Sequence, residues 1–143
     1  MSKKVIIFDD DHGPIDLYVK ALRLRGFVVT HIDTLGAAFD HIRDAAGPAD
    51  FYIVDMMLPI ANTPQEHIKK EDYRDVGYGL TAGLVLLKRL REWLPSVPVL
   101  MLTSVSRPDI LSRIPGDDNC RIEAKVNMLP FDLADHITKR LVQ

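Results

Sequence analysis

The sequence predicts an α/β domain built on a five-stranded parallel sheet with helices on both faces, and three observations carry that expectation. Short apolar runs alternate along the chain with longer segments of helical period. The runs VIIF and VLML are apolar at every position rather than at every second one, which suits strands covered on both sides. Each run ends in polar residues, as strands do when crossover helices join them.

The strands are expected over 4–9 (KVIIFD), 27–32 (FVVTHI), 51–55 (FYIVD), 98–103 (PVLMLT) and about 120–125 (CRIEAK). Gly13-Pro14 opens the first helix, with the proline at a first-turn position where its missing N–H costs nothing, and Gly26 closes it after Leu22 and Leu24. The second helix is expected over about 34–46. The third, over about 81–94, carries an apolar stripe of Leu84, Leu87, Leu90 and Leu94 at steps of three and four. A short, weakly patterned fourth falls at about 107–114, and the last runs from about 131 to the end of the chain.

A chain of 143 residues, 47% hydrophobic and 27% charged, has the size and mixture of one globular domain. Burying roughly two thirds of its unfolded surface needs no disulfide or structural metal. A net charge of −2 with interspersed signs argues against a nucleic-acid or anionic-membrane surface. The single cysteine, Cys120, excludes an internal disulfide and fits a reducing compartment. Four apolar residues between Lys4 and Asp9 are too few for a signal peptide or a membrane span, so a cytoplasmic location is expected.

One segment is out of proportion. Loops of α/β units usually take about 2–6 residues, whereas LPIANTPQEHIKKEDYRDVGYG separates the third strand from the third helix. The domain is therefore expected to fill residues 1–143 with a long insertion at about 59–80. A solvated surface loop and a lid or docking element are both open readings of it.

Polar residues gather at the predicted carboxyl ends of the strands: Asp9-Asp10-Asp11 after the first, Asp55 after the third, Thr103-Ser104 after the fourth and Lys125 after the fifth. In an open parallel sheet that edge is where ligands bind. Each feature alone is ordinary, since aspartates cap helices and lysines are solvated. Together, Asp9, Asp10 and Asp55 aim three carboxylates at one point, where like charges about 4 Å apart repel by roughly 4 kcal/mol per pair at an effective dielectric near 20. A cation relieves that repulsion, and a hard, oxygen-seeking ion such as Mg²⁺, a frequent companion of phosphate, is the natural guest.

These residues resemble the receiver domains of two-component response regulators over essentially the whole chain. VIIFDDD is similar to the family's apolar strand followed by acids, FYIVDMMLP to its acceptor strand with a proline four residues on, and VPVLMLTS to its Thr/Ser strand. Lys125 completes the set at the family's usual interval from Thr103. The resemblance implies a doubly wound, flavodoxin-like sheet of order 2-1-3-4-5. It implies that Asp55 accepts a phosphoryl group, that Asp10 and Asp55 ligate Mg²⁺ directly with Asp9 acting through water, and that the Met57 backbone carbonyl is a further ligand. Thr103 then binds a phosphoryl oxygen and Lys125 balances its charge. Met57 and Val105 would border the path of hydrolytic water and set the lifetime of the phosphoryl group. A sensor histidine kinase or phosphotransfer protein as donor, and a downstream protein target or a missing output domain as receiver of the signal, follow as partners. The chain would act by self-phosphorylation and slow autodephosphorylation rather than as an enzyme on other substrates.

The sequence also departs from the family pattern. Besides the insertion, Lys125 is followed by Val126 where proline is usual, and Ile122 stands where an aromatic switch residue is typical. Two rival readings stay open. IIFDDD also resembles the D-x-D strand of haloacid-dehalogenase-like phosphatases, with Asp9 as nucleophile, although His12 stands where glycine is typical and Asp55 is then unexplained. A pseudo-receiver, using the fold only for protein contacts, is the other.

Remaining signals are weak. Gly77-x-Gly79 lacks a preceding strand. His12, His31, His41, His67 and His136 show no metal-ligand spacing and read as loop, surface or boundary residues. Cys120 and Trp93 read as packing residues.

Overall fold

The computed structural model describes residues 2–44, 47–58, 82–104, 108–114 and 118–142. Its elements run β1 (Lys4–Phe8), α1 (His12–Leu24), β2 (Val28–Ile32), α2 (Leu35–Asp44), β3 (Phe51–Val54), α3 (Ala82–Trp93), β4 (Val99–Thr103), α4 (Pro108–Leu111), β5 (Cys120–Ala124) and α5 (Pro130–Val142), with a 3₁₀ turn over Lys125–Asn127. The strands form one parallel sheet in the order β2-β1-β3-β4-β5, as the resemblance implies.

Strand periodicity divides the interior in two. Ile6, Phe8, Tyr52, Val54, Val99 and Met101 face the side covered by α2 and α3, where Leu35, Phe39, Leu86 and Leu90 meet them. Val5, Ile7, Phe51, Ile53, Leu100 and Leu102 face the other side and pack on Ile15, Leu22, Leu133 and Ile137 of α1 and α5. β3 and β4 are buried at every residue, which is why VLML shows no alternation, while the edge strands β2 and β5 are partly exposed. Removing a large side chain from either layer, for instance by Leu86→Ala, costs about 2–5 kcal/mol.

Local signals set the ends of α1. Pro14 lies in its first turn. Gly26, at φ +87°, reverses the chain as a left-handed C-terminal stop, with its amide donating to Arg23 O at 3.0 Å and that of Phe27 to Leu22 O at 3.2 Å.

The structure corrects some boundaries. β1 stops at Phe8 and β3 at Val54, one residue before the aspartate in each case, and β5 gives way to the 3₁₀ turn at Lys125. The fourth helix spans only Pro108–Leu111, followed by a turn through Ile114. Pro115 disfavours helical backbone at the residue before it, and the buried Ile114 anchors the turn in the core. The expected insertion lies outside the described residues, which stop at Leu58 and resume at Ala82. Among the described residues no helix is long and apolar enough to cross a membrane.

Candidate phosphoacceptor and metal site

Because β1 pairs with β2 on one side and β3 on the other, the crossover through α1 and that through α3 leave on opposite faces of the sheet. A crevice opens between the carboxyl ends of β1 and β3. Asp9 and Asp55 stand on its two banks. Each is fixed through its own amide: Asp9 N–H donates to Ile32 O at 3.1 Å and Asp55 N–H to Phe8 O at 2.8 Å, extending the ladder one residue beyond each strand.

Carboxylate oxygens of Asp9, Asp10 and Asp55 all lie within 4.8 Å of one another. Asp9 is 1% exposed and Asp55 5%, whereas Asp10 faces solvent. Lys125 reaches in from the end of β5, its Nζ 2.8 Å from Asp9 Oδ2 and 3.4 Å from Asp55 Oδ2. The Asp11 amide donates to Asp9 Oδ1 at 2.9 Å. Beyond the Lys125 ammonium, Asp9 Oδ2 has no hydrogen-bond partner among the described residues, although it is buried. Thr103, 1% exposed, ends β4 and is in register with Ala124, the residue before Lys125. The structure thus brings together Asp9, Asp10, Asp55 and Lys125 and holds Thr103 on the same sheet edge.

Two elements not expected from sequence shape the banks. Gly83, in the first turn of α3, presses on the chain leaving β3: its amide donates to Met56 O at 2.8 Å, and a Cβ there would lie 2.1 Å from Asp55 O. His31 Nε2 is 2.6 Å from Asp9 O. Its register opposite Ile7 is a strand-pairing consequence that the pattern of β1 and β2 contained. His12 begins α1 and pairs with Asp33 at 2.8 Å. His41 and His136 are half-buried, and burial lowers the basicity of both.

The electrostatics follow from burial. Asp55 is pushed up from an ordinary 3.8 to about 7, first by desolvation and then by the charge of Asp9, with Lys125 and the Met57 amide pulling the other way. Asp9 is also raised, by burial ahead of the relief that Lys125 and the Asp11 amide give. Burial opposes the Lys125 ammonium, but Asp9 and Asp55 outweigh it and raise its pKa. Among the described residues one ammonium therefore faces three carboxylates, and the cluster is short of positive charge. A buried carboxylate oxygen with no hydrogen-bond donor beyond that ammonium, amid hard oxygen ligands, fits a divalent cation such as Mg²⁺.

Of the other expected site residues, Met57 lies two places after Asp55 and is 43% exposed. Val105 lies outside the described residues. Ile122, 39% exposed on β5, is the aliphatic residue where an aromatic switch is typical.

Comparison with known proteins agrees with this geometry. No protein-family model matches the chain. The response regulator receiver protein CpdR of Brucella abortus (strain 2308) is 24% identical over 143 residues, covering 98% of both chains. A CheY-like response regulator receiver domain protein from Methanospirillum hungatei JF-1 superposes with a TM-score of 0.68 at 20% identity, over 99% of this chain and 95% of that one. The phosphorylated cyanobacterial phytochrome response regulator RcpA gives a TM-score of 0.68 at 18% identity, over 100% and 96%. Along nearly its whole sequence and in its fold, the chain is similar to the receiver domains of response regulators.

Proposed function

We propose that this chain is a phosphoacceptor receiver domain that takes a phosphoryl group onto Asp55 in a Mg²⁺-dependent reaction and signals by a change of conformation. The observation that carries the reading is the convergence of the Asp9, Asp10 and Asp55 oxygens within 4.8 Å, with one lysine ammonium reaching two of them. In-line phosphoryl transfer asks mainly for positioning and charge neutralisation; the carboxylates supply the first, and Lys125 with a bound cation would supply the second.

The residues divide the work. An Asp55 carboxylate oxygen attacks phosphorus as the bond to the donor's leaving atom breaks, so the proton inventory of the acceptor matters. With its pKa near 7 in the metal-free chain, part of Asp55 is protonated at neutral pH and poorly nucleophilic. Asp9, Asp10, Asp55 and the Met57 carbonyl are the residues that would hold Mg²⁺. When bound, the ion supplies the positive charge that keeps Asp55 ionised and offsets that of the phosphoryl oxygens. Lys125 sits between Asp9 and Asp55, placed to pair with a phosphoryl oxygen, and the Thr103 hydroxyl at the end of β4 is the donor for another. Asp9, held by the Asp11 amide and by its carbonyl contact to His31, is an anchoring carboxylate in this reading.

The partners proposed are a sensor histidine kinase or phosphotransfer protein as donor and a downstream protein, or an output domain outside this chain, as target. The resemblance to phosphorylated and receiver-type response regulators supports them, and a cytoplasmic setting suits them.

Intact-mass measurement after incubation with acetyl phosphate tests the reading. One phosphoryl adduct is expected with Mg²⁺, none with EDTA, and none in Asp55→Asn. An adduct that survives Asp55→Asn and vanishes in Asp9→Asn would assign the chemistry to the phosphatase-like alternative. No adduct and no Mg²⁺ binding would leave a pseudo-receiver.

A further inference from the structure

We propose that Tyr18 is a positioning residue for this site, holding the turn that aims the Lys125 ammonium at Asp9 and Asp55. The inference rests on the reading of Asp55 as acceptor and extends it to a residue on α1. Lys125 is the first residue of the 3₁₀ turn that follows β5, so the direction of its side chain depends on how that turn is anchored. The turn closes on itself through the Met128 amide, which donates to Lys125 O at 3.2 Å.

What ties it to the rest of the molecule is Met128. Its side chain is buried in the α1 and α5 layer, and its carbonyl accepts a 2.6 Å hydrogen bond from Tyr18 Oη across 110 residues of sequence. Val126 and Leu129 on either side are 85% and 66% exposed and offer the turn little packing. On its far side the Leu129 amide donates to Asp132 Oδ2 at 3.2 Å, which secures the start of α5 rather than the lysine. Tyr18 is 6% exposed, and burial pushes its phenol up, so the hydroxyl stays protonated and able to donate. The phenol also lies close enough to feel the charges of both Lys125 and Asp9. A hydrogen bond to a buried carbonyl three residues from the lysine thus couples α1 to the ammonium's position. The alignment of the ammonium with the phosphoryl oxygens matters most as the group passes in line between donor and Asp55, so loosening it falls mainly on the rate of transfer rather than on donor binding.

The test is a double-mutant cycle in the intact chain: wild type, Tyr18→Phe, Lys125→Ala and the pair, each with saturating Mg²⁺ and varied acetyl phosphate, with melting curves recorded for all. Tyr18→Phe keeps the ring and deletes one oxygen. It is expected to lower the limiting rate of Asp55 phosphorylation by about two- to tenfold, the scale of one hydrogen bond, with the half-saturating donor concentration unchanged. In the Lys125→Ala background the same change is expected to do nothing more to the rate. An equal loss in both backgrounds, or no loss in either, overturns the inference while leaving Asp55 as acceptor. Absence of any adduct in the wild type would instead bring down the acceptor reading, and this one with it.

Discussion

Gly83→Ala is the most direct test of how the fold places Asp55, the proposed acceptor. At an exposed helical position such a change stabilises by about 1 kcal/mol, because alanine is the better helix former. At position 83 the added Cβ would lie 2.1 Å from Asp55 O, 2.7 Å from Met56 Cα and 2.9 Å from Asp55 C. All three are backbone atoms of the segment leaving β3, so no side chain can swing aside. Relief requires α3 or the acceptor segment to move by more than an ångström, and it breaks or lengthens the bond from Gly83 N–H to Met56 O. Overpacking of this kind costs about 1–3 kcal/mol and the hydrogen bond about 1 more, against the propensity gain. The net expectation is a loss of about 2 kcal/mol, a fall in melting temperature of roughly 6–10 °C for a chain of this size. Urea unfolding of both proteins measures it. A variant as stable as the wild type, or more stable, would refute the claim that α3 is docked on the Asp55 carbonyl. If the acceptor segment is what yields, the variant should also gain less stability from Mg²⁺.

Further outcomes follow from the same site. Because the folded-state pKa of Asp55 is raised from 3.8 to about 7, the metal-free fold is expected to lose stability as pH climbs through that window and level off above it, and Asp55→Asn should remove that slope; parallel stability–pH curves for the two proteins in EDTA would contradict this. Millimolar Mg²⁺ should raise the melting temperature more at pH 8 than at pH 5, with Asp10→Ala erasing most of the gain, as thermal melts will show. Replacing residues 61–78 by a short Gly-Ser link is expected to keep the fold and Mg²⁺ binding while changing kinase or target recognition, and unfolding on deletion would make the insertion structural. Met57 and Val105 offer no strong hydrogen bond to a hydrolytic water, so Met57→Asn with Val105→Glu should hasten loss of the Asp55 adduct, and equal or slower loss would reject water positioning as the limit.

Legibility in the sequence tracked what was local or periodic. VIIF and VLML announced buried strands because residues covered on both faces must be apolar whatever the helices do. The acidic pair, Asp55, Thr103 and Lys125 could be read as one site because a parallel sheet places every strand's carboxyl end on the same edge. Boundaries were less legible: the aspartates ending β1 and β3 still donate into the ladder but leave strand geometry, a distinction with no compositional mark. Gly83 falls inside the third helix expected over about 81–94, but its close approach to Asp55 O depends on how α3 is docked and has no mark in the sequence. The role of Tyr18 on α1 left no mark in the sequence, because its partner Met128 is distant in the chain and is met through a backbone carbonyl.

The site's lack of charge balance makes its burial costly. Three carboxylates against one ammonium leave a formal charge of −2, and two of those carboxylates are almost wholly shielded from water. An incoming phosphoryl group, carrying about two further negative charges, is opposed by several like-charge terms of roughly 4 kcal/mol each at contact range. Lys125 offsets only part of that sum. Two continuous apolar layers, one on each face of the sheet, supply the stability set against that repulsion, with Lys125 as a partial counter-ion. The same strain makes the site responsive. On the proposed function, a cation and a phosphoryl group together would turn repulsion into attraction, and the Gly83 amide on Met56 and the Met128-anchored turn bearing Lys125 are the contacts whose positions that change in charge would alter.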